Sequence, residues 1–335
     1  MTDTKPASRA DGLITWGILG TGSMAGRMVS CIRAMGGEVV AIGSRAKESA
    51  QRFANEHNIG QTYDSYDALA READIDAVYI ATTNDQHFQN AMACLQHGRA
   101  VLCEKPLTIT VEQTQALVDA ARSARVLLIE AMWMRFQPFV PLLDELIRED
   151  TIGPVKLVEA HFSFPIQEAP GSRWYDPKLG GGSLLDLGVY PLTLAHYILG
   201  GPQTSVAVAT LSSTGVDAQC TVSSTHARGA VSTLSCSFSV AGAAEAMIAG
   251  ERGRIRLTSP FFHCPKMVLE TASVGAPRSI DTEYHGDGLE CEIAEFHRCL
   301  RESLLESPLM PHADSVAIAS WRMSILEQIG VRYPA

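Results

Sequence analysis

The stretch Gly17-Ile18-Leu19-Gly20-Thr21-Gly22-Ser23-Met24-Ala25-Gly26 decides the fold. It places G-x-G-x-x-A at Gly20, Gly22 and Ala25, directly after an apolar run that ends at Leu19. Each small residue has its own reason. Gly20 permits a tight turn, Gly22 lets the backbone approach a pyrophosphate, and Ala25 lets the following helix pack on the strand. The N-terminus of that helix, over Ser23 and Met24, offers free N–H groups and a partial positive charge to phosphates. A glycine turn alone is weak evidence, so its surroundings must supply the rest.

Around this turn the first 130 residues alternate two periods. Short runs rich in Val, Ile and Leu occur at 13–19, 39–42, 77–81, 101–103 and 127–129. They are too short for ordinary helices and read as strands buried on both faces. Helix-like stretches lie between them, one with Ala25, Met28, Val29 and Ile32 on one face and another from Val111 to Ser123. This β-α order predicts a doubly wound parallel sheet, the Rossmann arrangement, over residues 1–131. After about Met134 the pattern changes. A helix is predicted at 139–150, ended by Gly153-Pro154. Strands follow at 155–164, 205–211, 220–224, 230–240, 247–249, 254–257 and 267–270, many alternating apolar with polar or small residues. Two helices close the chain: one with Leu289, Ile293, Phe296 and Leu300 at helical spacing, the other from Ala313 to Val331. Residues 132–335 are therefore expected to form an α+β domain with a large, open, mostly antiparallel or mixed sheet.

Composition narrows the class. A net charge of −10 argues against broad electrostatic binding to nucleic acid or anionic lipid. No run approaches the roughly 20 apolar residues of a membrane span, and the polar start has no apolar h-region, so a cytoplasmic chain is expected. The eight cysteines form no C-x-x-C pair and read as reduced, mostly buried thiols. The ten histidines show no ligand spacing, so no metal is predicted.

The end of the second strand bears on the cofactor. An NAD site usually places an acid about 20 residues past the glycines, to hold the ribose 2′-hydroxyl. Here the segment is Ile42-Gly43-Ser44-Arg45-Ala46-Lys47, a hydroxyl and a cation in place of the acid. Ser44 can donate to a 2′-phosphate and Arg45 can pair with it, so NADP(H) is the preferred cofactor and NAD(H) the alternative. A solvated basic helix start is the plainer reading, and the missing acid weighs against it.

The chemical residues come next. The strand at 101–103 runs into Glu104-Lys105-Pro106. Carboxyl ends of parallel strands line the ligand crevice, which puts Lys105 beside the cofactor on its nicotinamide side. A surface Glu-Lys ion pair is the competing reading. Further on, Asp186 and Tyr190 are four apart and would share a helix face, after the three glycines Gly180–Gly182. An alcohol cannot lose hydride without also losing a proton, so an acid or base is required, and Tyr190 is the candidate. Its ordinary pKa of about 10 would fall beside the Lys105 ammonium. A core tyrosine and a capping aspartate are the structural alternatives.

Taken together, the glycine turn, Thr83-Asn84-Asp85-Gln86-His87, Glu104-Lys105-Pro106 and Asp186-Leu187-Gly188-Val189-Tyr190 resemble the glucose–fructose oxidoreductase / inositol dehydrogenase family, Gfo/Idh/MocA. The resemblance covers nearly the whole chain. Glu130-Ala131-Met132-Trp133-Met134-Arg135-Phe136 and Gly180-Gly181-Gly182-Ser183-Leu184-Leu185-Asp186 look like the branch of dimeric dihydrodiol dehydrogenases and sugar dehydrogenases or reductases. The inositol subgroup has His where this chain has Tyr190.

What the resemblance implies is specific. Thr82, Asn84, His87 and Glu104 would border the cofactor, and Lys105 would hold the substrate hydroxyl and support proton transfer by Tyr190, with Asp186 orienting either. The Lys105–Pro106 bond would be cis. Trp133, Arg135, Arg173 and Trp174 would meet a ring bearing hydroxyls, an aromatic face with a guanidinium being suited to it; core packing and surface pairing are the alternatives. The loops 164–175 and 261–265 would shape the pocket. The expected activity is NADP(H)-dependent hydride transfer at a secondary alcohol or ketone of a sugar, cyclic polyol or trans-dihydrodiol. An NAD-dependent glycosidase with tightly bound cofactor and a non-catalytic dinucleotide-sensing regulator are the alternatives, the retained Lys105, Asp186 and Tyr190 weighing against the second. The partners expected are a small carbohydrate or diol and a second copy of the chain, joined through the sheet of the second domain.

Overall fold

The computed structural model describes residues 12–271, 276–284 and 286–334. They form two compact units. The first contains β1 (Thr15–Leu19), α1 (Ser23–Ala34), β2 (Glu38–Gly43), α2 (Lys47–His57), β3 (Gln61–Tyr63), α3 (Tyr66–Glu72), β4 (Ala77–Ile80), α4 (Asn84–Gln96), β5 (Ala100–Glu104), α5 (Val111–Ala124) and β6 (Leu128–Ala131). Its sheet has six strands in the order β3-β2-β1-β4-β5-β6, all pairs parallel. Every residue of β1, β4 and β6 is buried, as strands covered on both faces must be. The order reverses between β1 and β4, and in such sheets ligands lie outside the carboxyl ends at that switch point.

The second unit contains α6 (Phe139–Arg148), β7 (Val155–Ser163), α7 (Val189–Leu199), β8 (Thr204–Leu211), β9 (Asp217–Thr225), β10 (Val231–Ser237), β11 (Ala244–Gly250), β12 (Gly253–Leu257), β13 (Lys266–Thr271) and β14 (Arg278–Asp281). Its eight-stranded sheet runs β14-β13-β12-β11-β7-β10-β9-β8, antiparallel except for the β7–β10 pair. One face packs under α7, whose apolar sequence VYPLTLAHYIL marks a helix buried nearly all round. Val206, Val208 and Val231 project from the other face and are exposed.

The chain does not divide at a single point. The helix α8 (Leu289–Arg301) and the segment up to Ser315 belong to the first unit, whereas the sequence reading assigned everything from 132 onward to the second domain. The cause is packing. Phe296 of α8 lies 4.6 Å from the Trp16 ring, and Trp16 Nε1 donates to His297 Nε2 at 3.1 Å. The Leu128 N–H donates to the Leu305 carbonyl at 3.1 Å, which ties the returning chain to β6. The last helix, α9 (His312–Ile329), begins in the first unit and continues in the second. Two strands, β3 and β14, escaped the sequence reading. Both are short edge strands built mostly of polar residues, Gln-Thr-Tyr and Arg-Ser-Ile-Asp, which carry little apolar signal.

Candidate active site

The nucleotide end of the first unit follows from its glycines. Gly20 has φ +106°, and a Cβ there would sit 2.5 Å from the Ala81 carbonyl oxygen. Its N–H donates to the Gly43 carbonyl at 3.0 Å, so the turn is fixed between the ends of β2 and β4. Gly22 is exposed at the N-cap of α1, no side chain caps that helix, and a Cβ on Gly22 would meet nothing within 4 Å. Ser23 and Met24 open the helix. A tight cradle, open space above it and an uncapped helix N-terminus fit a pyrophosphate.

At the close of β2, Ser44 is buried. Its N–H donates to the Tyr63 carbonyl at 3.1 Å and its Oγ accepts from the Ala46 N–H at 3.3 Å. Arg45 is exposed. Its guanidinium shares a hydrogen bond with the Tyr66 hydroxyl; burial nonetheless pushes the Tyr66 pKa above its ordinary value. Tyr66 carried no signal in the sequence, because α3 brings it to Arg45 across 21 residues.

The Lys105 turn is held from several sides. Tyr79, fully buried in β4, donates its hydroxyl to Glu104 Oε1, and Glu104 Oε2 accepts from the Lys105 N–H at 3.2 Å. The Lys105–Pro106 bond is cis, as the resemblance implied. His87 is 1% exposed, with Nδ1 2.9 Å from the Pro106 carbonyl oxygen and Nε2 3.2 Å from that of Thr82. Burial lowers its pKa. Thr82 Oγ1 accepts from Asn90 at 3.3 Å, and Asn84 opens α4, buried. On the far side, Glu130 Oε1 accepts from the Leu107 N–H at 3.0 Å and Oε2 from the Ser315 hydroxyl at 2.6 Å. His87 thus spans two backbone turns with its ring buried, and Glu130, quoted in the sequence only as part of a motif, is a second brace.

In the second unit the expected α-helical face of Asp186 and Tyr190 is corrected. Leu184–Gly188 is a π-turn, and α7 begins only at Val189, so the two side chains are not one α-turn apart on a regular helix. Such insertions are frequent at functional sites. The buried Asp217 fixes the start of the turn: its Oδ2 accepts from Ser183 Oγ at 2.6 Å and from the Leu184 N–H at 2.7 Å. Gly182, at φ +116°, leaves room for this carboxylate; a Cβ there would sit 2.6 Å from Oδ1. Burial pushes the Asp217 pKa from 3.8 to about 6, against the Ser183 and Leu184 hydrogen bonds, which lower it. Pro191 lies in the first turn of α7, where a proline is tolerated.

Tyr190 is 6% exposed, and its Oη accepts a hydrogen bond from Trp133 Nε1 at 2.8 Å. Its ring meets Phe262 at 4.8 Å and Phe162 at 5.7 Å. Trp133 stacks on His263 at 5.6 Å and 15°. The 261–265 loop expected to shape a pocket therefore reaches Tyr190 through Phe262. The other three expected substrate contacts point elsewhere. Arg135 is buried with its guanidinium 4.1 Å over the Tyr197 ring. Arg173 lies 3.4 Å over Trp174, which packs edge-on to Phe238. Among the described residues no helix is long and apolar enough to cross a membrane.

A six-stranded parallel sheet with this glycine cradle, followed by a mixed-sheet unit, defines an oxidoreductase that works with a nicotinamide dinucleotide, NAD(P)-dependent as a class. Residues 14–132 match the oxidoreductase family with the NAD-binding Rossmann fold, and residues 141–256 match the GFO/IDH/MocA C-terminal domain. The chain belongs to the GFO/IDH/MocA family. It is 35% identical over 329 residues to trans-1,2-dihydrobenzene-1,2-diol dehydrogenase of Xenopus laevis, covering 95% of this chain and 99% of that one. Among solved structures, a 3-ketoreductase from Actinomadura kijaniata in complex with NADP and TDP-benzene superposes with a TM-score of 0.86 at 26% identity, over 96% of this chain and 100% of that one. A levoglucosan dehydrogenase complexed with NADH and levoglucosan has the same fold, with a TM-score of 0.86 at 22% identity, over 95% and 97%.

Proposed function

We propose that this chain moves a hydride reversibly between NADP(H) and a secondary alcohol or ketone carbon of a sugar, cyclic polyol or trans-dihydrodiol. Tyr190 gives and takes the proton and Lys105 assists it. The observation that carries this reading is the Tyr190 hydroxyl, held by the Trp133 N–H at 2.8 Å within an aromatic wall. An apolar wall with one ionisable hydroxyl suits a ring that presents C–H faces and a carbinol. The diol substrate named for the Xenopus laevis relative and the sugar-type ligands of the two structural neighbours support the same class.

Gly20, Gly22, Ser23 and Met24 would hold the pyrophosphate, Ser44 and Arg45 a 2′-phosphate, and Thr82, Asn84 and Glu104 the nicotinamide end. When bound, the nicotinamide supplies the hydride acceptor or donor. The preference for the phosphorylated cofactor rests on Ser44 and Arg45 standing where an acid would hold a free 2′-hydroxyl. Asp186, in the turn before α7, orients the substrate or Tyr190. We also propose a homodimer through the outer face of the second unit's sheet, supported by exposed Val206, Val208 and Val231. Light scattering showing a monomer would overturn the dimer.

The test is an NADP(H)-linked screen of diols, aldoses and ketoses on wild type and Tyr190→Phe. Turnover in the variant is expected to fall about 10²-fold or more with nucleotide binding retained. Wild-type turnover in Tyr190→Phe would remove the proton-transfer role, and a clear preference for NAD would remove the cofactor assignment.

A further inference from the structure

We propose that Trp133 is a positioning residue that aims the Tyr190 proton and supports the ionised oxygen, and is not only a wall for substrate. This rests on the reading of Tyr190 as the proton donor and acceptor. The indole N–H can only donate, so at the 2.8 Å contact Tyr190 Oη must accept. That fixes the hydroxyl rotor. The Tyr190 proton is excluded from the Trp133 side and is directed to a second partner.

Both rings are held for this task. Trp133 is stacked on His263, and its carbonyl accepts from Gln137 Nε2 at 2.8 Å; the same nitrogen donates to the Gly288 carbonyl at 2.9 Å. Tyr190 is wedged between Phe162 and Phe262. The contact therefore survives both protonation states of Tyr190, and it strengthens when the oxygen is charged, because a charge-assisted bond is roughly twice as strong as a neutral one. In the oxidation direction the substrate O–H bond breaks and its proton moves to Oη. The carbinol C–H bond breaks with its electron pair, which leaves as hydride to the oxidised nicotinamide cofactor, and the C–O bond becomes a carbonyl. The Trp133 N–H stabilises Oη before that proton arrives. In reduction the same bond stabilises Oη after its proton has left.

Titratable or charged groups on the elements packed against Tyr190 are Asp186 in the turn before it, Arg135 in the Trp133 turn, His263 beside Phe262, Glu159 and His161 on β7, and Cys236 on β10. Lys105 joins them under the functional reading. None of these is altered by removing one indole N–H, so a difference between profiles isolates that bond.

The experiment compares the pH–rate profile of oxidation, with the substrate found by the screen, for wild type, Trp133→Phe, and the chain carrying 3-benzothienylalanine at 133, an isostere of Trp without the N–H. In both variants the limb on which rate rises with pH is expected to move up by about one pH unit, with turnover at neutral pH about tenfold lower and the substrate KM nearly unchanged. Thermal unfolding of the isostere should match wild type, which separates the bond from packing. An unmoved limb in the isostere, while Tyr190→Phe remains inactive, overturns the role of Trp133 alone. Wild-type turnover in Tyr190→Phe overturns the underlying reading instead.

Discussion

Asp217→Asn isolates the carboxylate that starts the π-turn. Burial raises the Asp217 pKa from 3.8 to about 6. The native state therefore holds this proton more tightly than the unfolded chain does. Between about pH 4 and pH 6 the folded protein binds more protons than the unfolded one, so the contribution of this group to stability is fully present below pH 4 and is lost as pH rises through 6. Two pKa units correspond to about 3 kcal/mol. The asparagine keeps an acceptor oxygen for Ser183 and Leu184 but cannot titrate, and its neutral hydrogen bonds are weaker by about 1 kcal/mol. The two proteins should be unfolded in urea side by side from pH 4 to pH 8, followed by tryptophan emission. Trp133, Trp174 and Trp321 lie in the unit that holds Asp217. Every other titrating group is shared, so the difference in unfolding free energy is the quantity to read. It is expected to move by about 3 kcal/mol in favour of the variant between pH 4 and pH 7. A difference that is flat with pH would show that Asp217 is ionised in the fold at an ordinary pKa and would refute the reasoning.

Arg45→Ala should raise the KM for NADP(H) about 10- to 100-fold and change that for NAD(H) less than threefold, since it removes a charge-assisted contact to one phosphate; equal effects on both cofactors would reject the 2′-phosphate role. His297 is buried, and burial lowers its pKa from 6.5 to about 4. The unfolded chain then binds more protons between pH 4 and 6.5, so stability from this group is present above pH 6.5 and lost as pH falls through 4, by about 3 kcal/mol. His297→Gln, which keeps an acceptor for Trp16, should flatten that acid slope in thermal melts from pH 4 to 7. Glu130→Ala leaves the Leu107 N–H and the Ser315 hydroxyl without their shared acceptor and should cost about 2–4 kcal/mol, measured by urea unfolding, whereas Glu130→Gln should cost roughly half as much.

The first unit was legible because its signals are local. A strand, a glycine turn and a helix follow one another within 20 residues, and the buried parallel strands are continuous apolar runs. The cis bond before Pro106 came from resemblance to a family, not from the residues alone. What the sequence hid was built by long-range contact. Trp133 and Tyr190 are 57 residues apart, and only the structure shows one donating to the other. Asp217 looks like any acid at a strand start until the sheet delivers it to Ser183, 34 residues away. Arg135 beside Trp133 suggested a substrate contact, yet its guanidinium is spent on Tyr197. The π-turn was invisible for a related reason. A period-four spacing is equally consistent with an α-turn, and the wider winding is selected where Gly188 packs against Cys236; a Cβ at Gly188 would sit 2.9 Å from the Cys236 sulfur.

The two units solve the same problem with the same chemistry. Each must hold a backbone turn next to a residue that has to move protons or bind charge, and a turn cannot be held by strand or helix hydrogen bonds along its whole length. In the first unit the turn after Lys105 is held by Glu130, which takes one backbone N–H and one serine hydroxyl. In the second the turn before Tyr190 is held by Asp217, which also takes one backbone N–H and one serine hydroxyl. A buried carboxylate is costly unless its oxygens are occupied, and each serine lowers that cost. The serines differ in where they come from. Ser183 belongs to the turn it helps to hold, whereas Ser315 is supplied by the segment that returns to the first unit after the second has been completed. The Lys105 turn is therefore fully braced only when the chain beyond residue 289 has docked, which gives a physical reason for this fold to send its C-terminal segment back to its first unit.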